Sequence, residues 1–208
     1  DVYKRQVELP SVEKVWMFNT HLWHYPYAPY QLMNVGYYQG DSIDPDTPEA
    51  ELQAINSARI AHETEINKVL WDIKSILSSG EPVFLTGDFN EPSHLDWTTE
   101  SALAGLHPLK VSFPTSKQVT EAGLKDSFRE LFPDPVTVPG FTWPAGNYPE
   151  TPDSSVADPE DRIDFIYFTG EKVQVKNVQR LGEAADSSDI SFANYPSDHR
   201  AVLATFEL

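Results

Sequence analysis

Four short clusters in this 208-residue chain carry side chains able to do chemistry. The densest is Gly87-Asp88-Phe89-Asn90, which follows the apolar run Val83-Phe84-Leu85 and precedes Glu91-Pro92. It reads as a buried strand opening into a turn. Polar side chains at such a strand end project into the crevice where open sheets bind ligands. Asp88 offers an anionic acceptor, Asn90 an amide that donates and accepts, and Gly87 a backbone free to turn or to be approached closely. That set suits a water molecule, a phosphate oxygen or a hard cation, whereas the plain alternative is an Asp and an Asn forming an ordinary turn.

The second cluster ends the strand expected over Val12 to His21, where alternation puts Val15, Met17, Asn19 and His21 on one side. An imidazole there can serve as acid, base or phosphate donor. The third is Asp164 within Arg162-Ile163-Asp164-Phe165-Ile166-Tyr167-Phe168, a carboxylate in an apolar strand that calls for a cation or a hydrogen-bonding partner. The fourth, Ser197-Asp198-His199, stands directly before the last strand, Ala201 to Phe206, and supplies a candidate. One Asp orienting the His, with a second Asp beside it free for metal, makes an acid/base arrangement. The alternative is that Asp198 caps a turn and Arg200 pairs with Asp164.

Elements must hold these clusters together. Thr47 and Pro48 predict a helix start, and Ile55, Ala58, His62, Ile66, Val69, Ile73 and Leu77 form one apolar stripe that Ser79-Gly80 closes. Within that stripe His62 reads as structural. Leading straight into Val83-Phe84-Leu85, the helix predicts a helix-on-sheet layer beneath the strand that carries Asp88. Asp96 to Leu106 and Lys125 to Phe132 read as short helices. The aromatic stretch Trp23 to Tyr38 reads as a loop that either walls a pocket or packs as a satellite cluster, and Asn147 to Asp161 as a surface loop. His24 lies three residues from His21, which in a strand or loop does not make a zinc site.

Composition narrows the function classes. The absence of Cys excludes disulfides, thiolate nucleophiles and cysteine-ligated metals without fixing the compartment, so a secreted or periplasmic one stays open. No apolar run approaches a membrane span, and residues 1–6 show neither periodicity nor turn chemistry, leaving a domain over residues 7–208. The formal charge of −17 would repel a long polyanion, which favours a small phosphate ester over long nucleic acid as partner.

Asn19-Thr20-His21-Leu22, Gly87-Asp88-Phe89-Asn90, Arg162-Ile163-Asp164-Phe165-Ile166 and Ser197-Asp198-His199, in that order and each at a strand end, resemble the endonuclease/exonuclease/phosphatase superfamily. The resemblance implies an α+β fold, a two-sheet β-sandwich flanked by helices in four layers, with the site at one end of the sheets. It also implies metal-assisted attack of water on a phosphodiester or phosphomonoester. Asp88 would orient or deprotonate the water, and Asn90 would hold it or a phosphoryl oxygen. His199, oriented by Asp164, would act in acid/base transfer. Asp198, with Asp88, would bind Mg²⁺ or Mn²⁺, while His21 would contact the phosphate with Asn19 supporting it. The superfamily carries two further motifs upstream of the Asn-Thr-His strand, so the chain is expected to be the C-terminal part of the domain, lacking N-terminal strands and a metal-binding Glu. The competing readings are a non-catalytic relic that keeps the fold for binding, and a nuclease acting on DNA or RNA.

Overall fold

The computed structural model describes residues 2–10, 12–35, 41–146 and 159–208. Along the chain these form β1 (Val2–Leu9), β2 (Val12–His21), α1 (Ala28–Met33), α2 (Ala50–Leu77) and β3 (Val83–Asp88). They continue as α3 (Thr99–Leu103), α4 (Pro114–Glu121), β4 (Lys125–Asp126), α5 (Ser127–Leu131), β5 (Asp164–Thr169), β6 (Gln174–Gly182), β7 (Ile190–Ser191) and β8 (Ala201–Glu207).

The strands make two mixed sheets, one of five in the order β1-β2-β3-β5-β4 and one of three in the order β7-β6-β8. The architecture is α+β, a two-sheet sandwich with helices. On one face of the larger sheet, Ile66, Val69, Ile73 and Ile76 of α2 pack on Phe18, Val83, Leu85, Phe165 and Tyr167. Removing each such side chain from water contributes about 1.5–3 kcal/mol, which outweighs the weak capping of the helix. On the other face Val15, Phe84 and Phe168 meet Val173, which leads into β6, and Phe206 of β8 in the smaller sheet.

Register does the main positioning. β2 runs parallel to β3 with His21 opposite Asp88, and β5 runs antiparallel to β3 with Asp164 opposite Asp88. Three functional candidates therefore stand in one row across three adjacent strands. Close approach at this row needs Gly87: its φ is +141°, and a β-carbon there would collide with the carbonyl oxygen of Thr20.

Several expectations are corrected. Residues 2–6 belong to β1, an edge strand paired antiparallel with β2; Tyr3 to Glu8 are exposed there, so no burial pattern marks it. The long helix begins at Ala50, because Thr47 instead accepts the Ala50 N–H through its carbonyl in a preceding turn. The stretch 23–38 is not all loop: Ala28–Met33 is helical, with Pro29 in its first turn and Asn34 left-handed at its end. Of Asp96 to Leu106 only Thr99–Leu103 is α-helix, and Lys125-Asp126 pairs with β5 before α5 starts. Helix α4, opened by Pro114, carries no long apolar stripe and escaped the sequence reading. Most of the loop expected over Asn147 to Asp161 lies outside the described residues; Asp161 itself bridges to Trp143.

Candidate active site

The row formed by register is closed by His199, which stands two residues before the start of β8. Its Nδ1 lies 3.0 Å from Asp164 Oδ2, and its Nε2 lies 4.0 Å from Asp88 Oδ2. From the other side His21 Nε2 approaches Asp88 Oδ2 at 3.4 Å, with the His21 side chain largely exposed. Asp88 is held in place by Asn90, whose backbone N–H donates to Oδ1 at 2.8 Å and whose side-chain amide donates to Oδ2 at 3.2 Å. The same amide donates to the Leu22 carbonyl at 3.0 Å, tying the turn after β3 to the turn after β2. Asn90 adopts φ +45°, a left-handed conformation that Asn tolerates better than most residues.

These groups open into a cavity of about 480 Å³ lined also by Tyr27, Tyr30, Trp143 and Asp198. Of the seven residues singled out in the sequence, the structure brings His21, Asp88, Asn90, Asp164, Asp198 and His199 to this cavity. Asn19 stands outside its lining, and its amide donates instead to Thr86 Oγ1 at 3.0 Å, holding β2 on β3. Asp198 lines the cavity but is not among the groups whose ligand atoms converge. Among the described residues, Asp88, Asp164 and His199 offer ligand atoms within 4.8 Å of one another. The alternative of an arginine partner for Asp164 does not apply: Arg200 pairs with Glu183 at 2.6 Å, and Arg162 with Asp96 and Asp126.

The electrostatics follow from this crowding. Burial and the neighbouring carboxylate of Asp164 push Asp88 up to about 6, although His199, the Asn90 N–H and His21 pull the other way. Burial alone would lower the pKa of His199. The hydrogen bond and charge of Asp164, with Asp88 and Asp198 behind them, prevail and push it up to about 9. At neutral pH the cluster therefore holds a protonated imidazole beside carboxylates that repel each other, an arrangement suited to proton transfer and to a multivalent cation.

Two supports were not legible beforehand. Thr142, fully buried, accepts the backbone N–H groups of Ile163 and Asp164 on its hydroxyl at 3.1 and 3.2 Å. Its carbonyl accepts the Arg200 N–H at 2.6 Å, so one residue braces both sides of the Asp164 to His199 contact. Asp161 accepts from Tyr27 Oη at 2.6 Å and from Trp97 Nε1 at 2.8 Å, fixing an aromatic wall of the cavity. Burial pushes this carboxyl up to about 6 against those two bonds. Residues 36–38 of the aromatic stretch Trp23 to Tyr38 lie outside the described residues; within the rest, Tyr27 and Tyr30 line the cavity while packing with Val35 and Ile163. Neither Thr142 nor Asp161 sits in a periodic segment, and only the nearby Trp and Pro hinted at a packed turn.

Comparison with known proteins now decides the family. The model of the Endonuclease/Exonuclease/phosphatase family matches residues 18–199. The chain belongs to this family. It is 38% identical over 135 residues to a Caenorhabditis elegans protein described as uncharacterized, covering 60% of this chain and 40% of that one. The chain thus spans about two fifths of the length of that curated relative. Among solved structures it resembles the 3′ phosphatase NExo from Neisseria, bound to product DNA hairpin, with TM-score 0.53 and 18% identity over 100% of this chain and 71% of that one. It likewise resembles truncated Caenorhabditis elegans TDP2, with TM-score 0.51 and 19% identity over 100% of this chain and 59% of that one. These likenesses establish the fold. Members of the family are hydrolases, nucleases and phosphodiesterases among them.

Proposed function

We propose that the chain is a divalent-metal-dependent phosphoesterase that hydrolyses a phosphodiester or phosphomonoester with activated water. The observation that supports this most is the convergence of His21, Asp88 and Asp164 in one row with His199, inside a single cavity. Asp88, held by Asn90, takes a proton from water as its oxygen bonds to phosphorus. His199 keeps Nδ1 on Asp164 and delivers a proton from Nε2 to the ester oxygen as the phosphorus–oxygen bond breaks. His21, on the exposed side of Asp88, contacts a phosphoryl oxygen, while Asn19 acts at a distance by holding its strand.

The donor set fits a hard divalent cation. Two partly buried carboxylates face each other without a lysine or arginine in the cavity lining among the described residues, and carboxylate oxygens are the ligands that Mg²⁺ and Mn²⁺ prefer. Asp88 and Asp164 would hold the ion, with Asp198 a further carboxylate at the same cavity; when bound it would offset phosphate charge and acidify water. The formal charge of −17 and a lining of imidazoles and aromatic rings support a small phosphate ester as substrate. The DNA hairpin belongs to the Neisseria protein, so DNA enters as a test.

Initial rates on bis-p-nitrophenyl phosphate, p-nitrophenyl phosphate and a labelled DNA hairpin, each in Mg²⁺ or Mn²⁺ and after verified metal removal, test this reading. A small ester turned over with metal and not without it is the expected result. Undiminished turnover in chelator would overturn the metal role, and turnover of the hairpin alone would overturn the substrate class.

A further inference from the structure

Two side chains of α2 hold the backbone of Trp23 from both sides. Glu65 Oε2 accepts the Trp23 N–H at 2.8 Å, and His62 Nε2 lies 2.7 Å from the Trp23 carbonyl oxygen. The other ring nitrogen of His62, Nδ1, lies 2.7 Å from Glu91 Oε2, and both side chains are 1% exposed. Neither a carbonyl nor a carboxylate donates, so keeping both bonds requires a proton on each ring nitrogen. Glu91 is equipped to be the anion: the Thr115 N–H donates to its Oε1 and the Thr115 hydroxyl to its Oε2, each at 2.7 Å. A buried imidazolium needs a hydrogen-bonded carboxylate as its partner, and Glu91 is held in place for that by Thr115.

The ends of this bridge matter because of what they adjoin. Trp23 lies two residues after His21 and one before His24, a cavity residue whose ring is 4.6 Å from that of Trp23. Glu91 directly follows Asn90. Leu22, between the two, donates to the Asp88 carbonyl at 3.0 Å. The helix thus reaches the turns after β2 and β3 through one charged ring, in the same place where Leu22 and Asn90 join them directly.

We propose that His62 is a positioning residue for the phosphate-ester reaction: as a buried imidazolium it joins the loop bearing His21 and His24 to the turn bearing Asp88 and Asn90, and so sets their spacing across the cavity. The proposal rests on the phosphoesterase reading for its kinetic consequence, not for the bridge itself. Burial of the ring would lower its pKa. The hydrogen bond and charge of Glu91, the Trp23 carbonyl and, one turn along α2, Glu65 outweigh this and hold the pKa above its ordinary value. The bridge is therefore complete below the ordinary imidazole range and loses one of its two donors as pH rises through the raised pKa.

The whole chain, labelled with ¹⁵N, tests the bridge without turnover. At about pH 6 the His62 ring should show two slowly exchanging N–H protons, and its pKa should fall in Glu91→Gln. His62→Gln, which keeps one donor and a similar volume, should shift the ring resonances of His21. On bis-p-nitrophenyl phosphate it should lower kcat roughly tenfold to a hundredfold with little change in KM. A single ring N–H at that pH would overturn the imidazolium. A variant with a lower melting temperature but unchanged kcat and unchanged His21 resonances would reduce His62 to a core residue and overturn the proposal. Should the wild-type protein hydrolyse no phosphate ester, the phosphoesterase reading falls, and the ring protons and His21 shifts still decide the bridge.

Discussion

Two clusters of charge sit within a few residues of each other in sequence and behave oppositely. In one, Arg162 places its guanidinium on Asp96 and Asp126 at 3.0 and 2.7 Å, and Arg129 adds a bond to Asp96 at 2.6 Å, with all four side chains almost wholly buried. Two fixed cations meet two carboxylates, and three further Arg129 hydrogen bonds go to the carbonyls of Phe132, Val138 and Pro139. In the other, two residues along the same strand segment, Asp164 and Asp88 share one titratable imidazole and half-buried positions. Partner chemistry separates buried charge that is scaffold from buried charge that can react. Matched, permanently charged partners leave nothing to exchange, whereas an excess of carboxylate around a histidine leaves protons and cations free to come and go.

Substitutions sharpen that contrast. Asp88→Asn should lower the rate on a confirmed phosphate ester by ~10²–10⁴ while leaving the metal-free melting temperature unchanged or higher, since it removes a repelled, partly buried charge. A rate close to wild type would break the functional side of the comparison. Arg162→Met should do the reverse, because it leaves the buried Asp126 carboxylate without its cation and Asp96 with Arg129 alone: urea unfolding should show a loss of roughly 3–5 kcal/mol. A loss under about 1 kcal/mol would mean that the scaffold cluster is not one.

Titration separates the clusters without turnover. In metal-free protein the His199 ring should titrate near the value of about 9 to which Asp164 raises it, and Asp164→Asn should bring it down toward the ordinary imidazole value. Because the folded pKa is the raised one, the stability this pair contributes is complete below the ordinary value and is lost as pH rises to about 9. Flat metal-free stability across that window in wild type, with a His199 pKa unmoved by Asp164→Asn, would contradict the pairing. The smallest effect belongs to the surface: Lys117, half exposed and 4.0 Å from Glu121, should tolerate replacement by Ala with a change under about 0.5 kcal/mol by the same unfolding assay.

The sequence exposed the site better than its supports, for a physical reason. Asp88, Asp164 and His199 sit at the ends of strands whose apolar runs are unmistakable, and period-two alternation carries their facing with it. The assignment of Asp164 to His199 over Arg200 needed coordinates, since both partners stand in one short segment. The α2 stripe was legible because its apolar face repeats over many turns. Residues 2–6 were not, because an edge strand with exposed side chains carries no burial pattern. Thr142 and Asp161 were hidden for another reason: each sits in an irregular segment and accepts hydrogen bonds on its side chain from residues distant in sequence, which no spacing rule records. Arg162 was visible as a charge at a strand start, yet its partners stand far off in sequence, Asp96 in a turn and Asp126 in the two-residue strand β4.

A double-mutant cycle on Asp164→Asn and His199→Ala, read as kcat/KM for a confirmed phosphate ester in saturating Mn²⁺ with melting temperatures followed in parallel, decides whether the pair is catalytic. If the two act as one acid/base unit, each single change lowers the rate by an amount on the order of 10²–10⁴ and the double mutant falls little below the worse single one. Two folded single mutants with near-wild-type rates would contradict the account, as would losses that simply multiply in the double mutant.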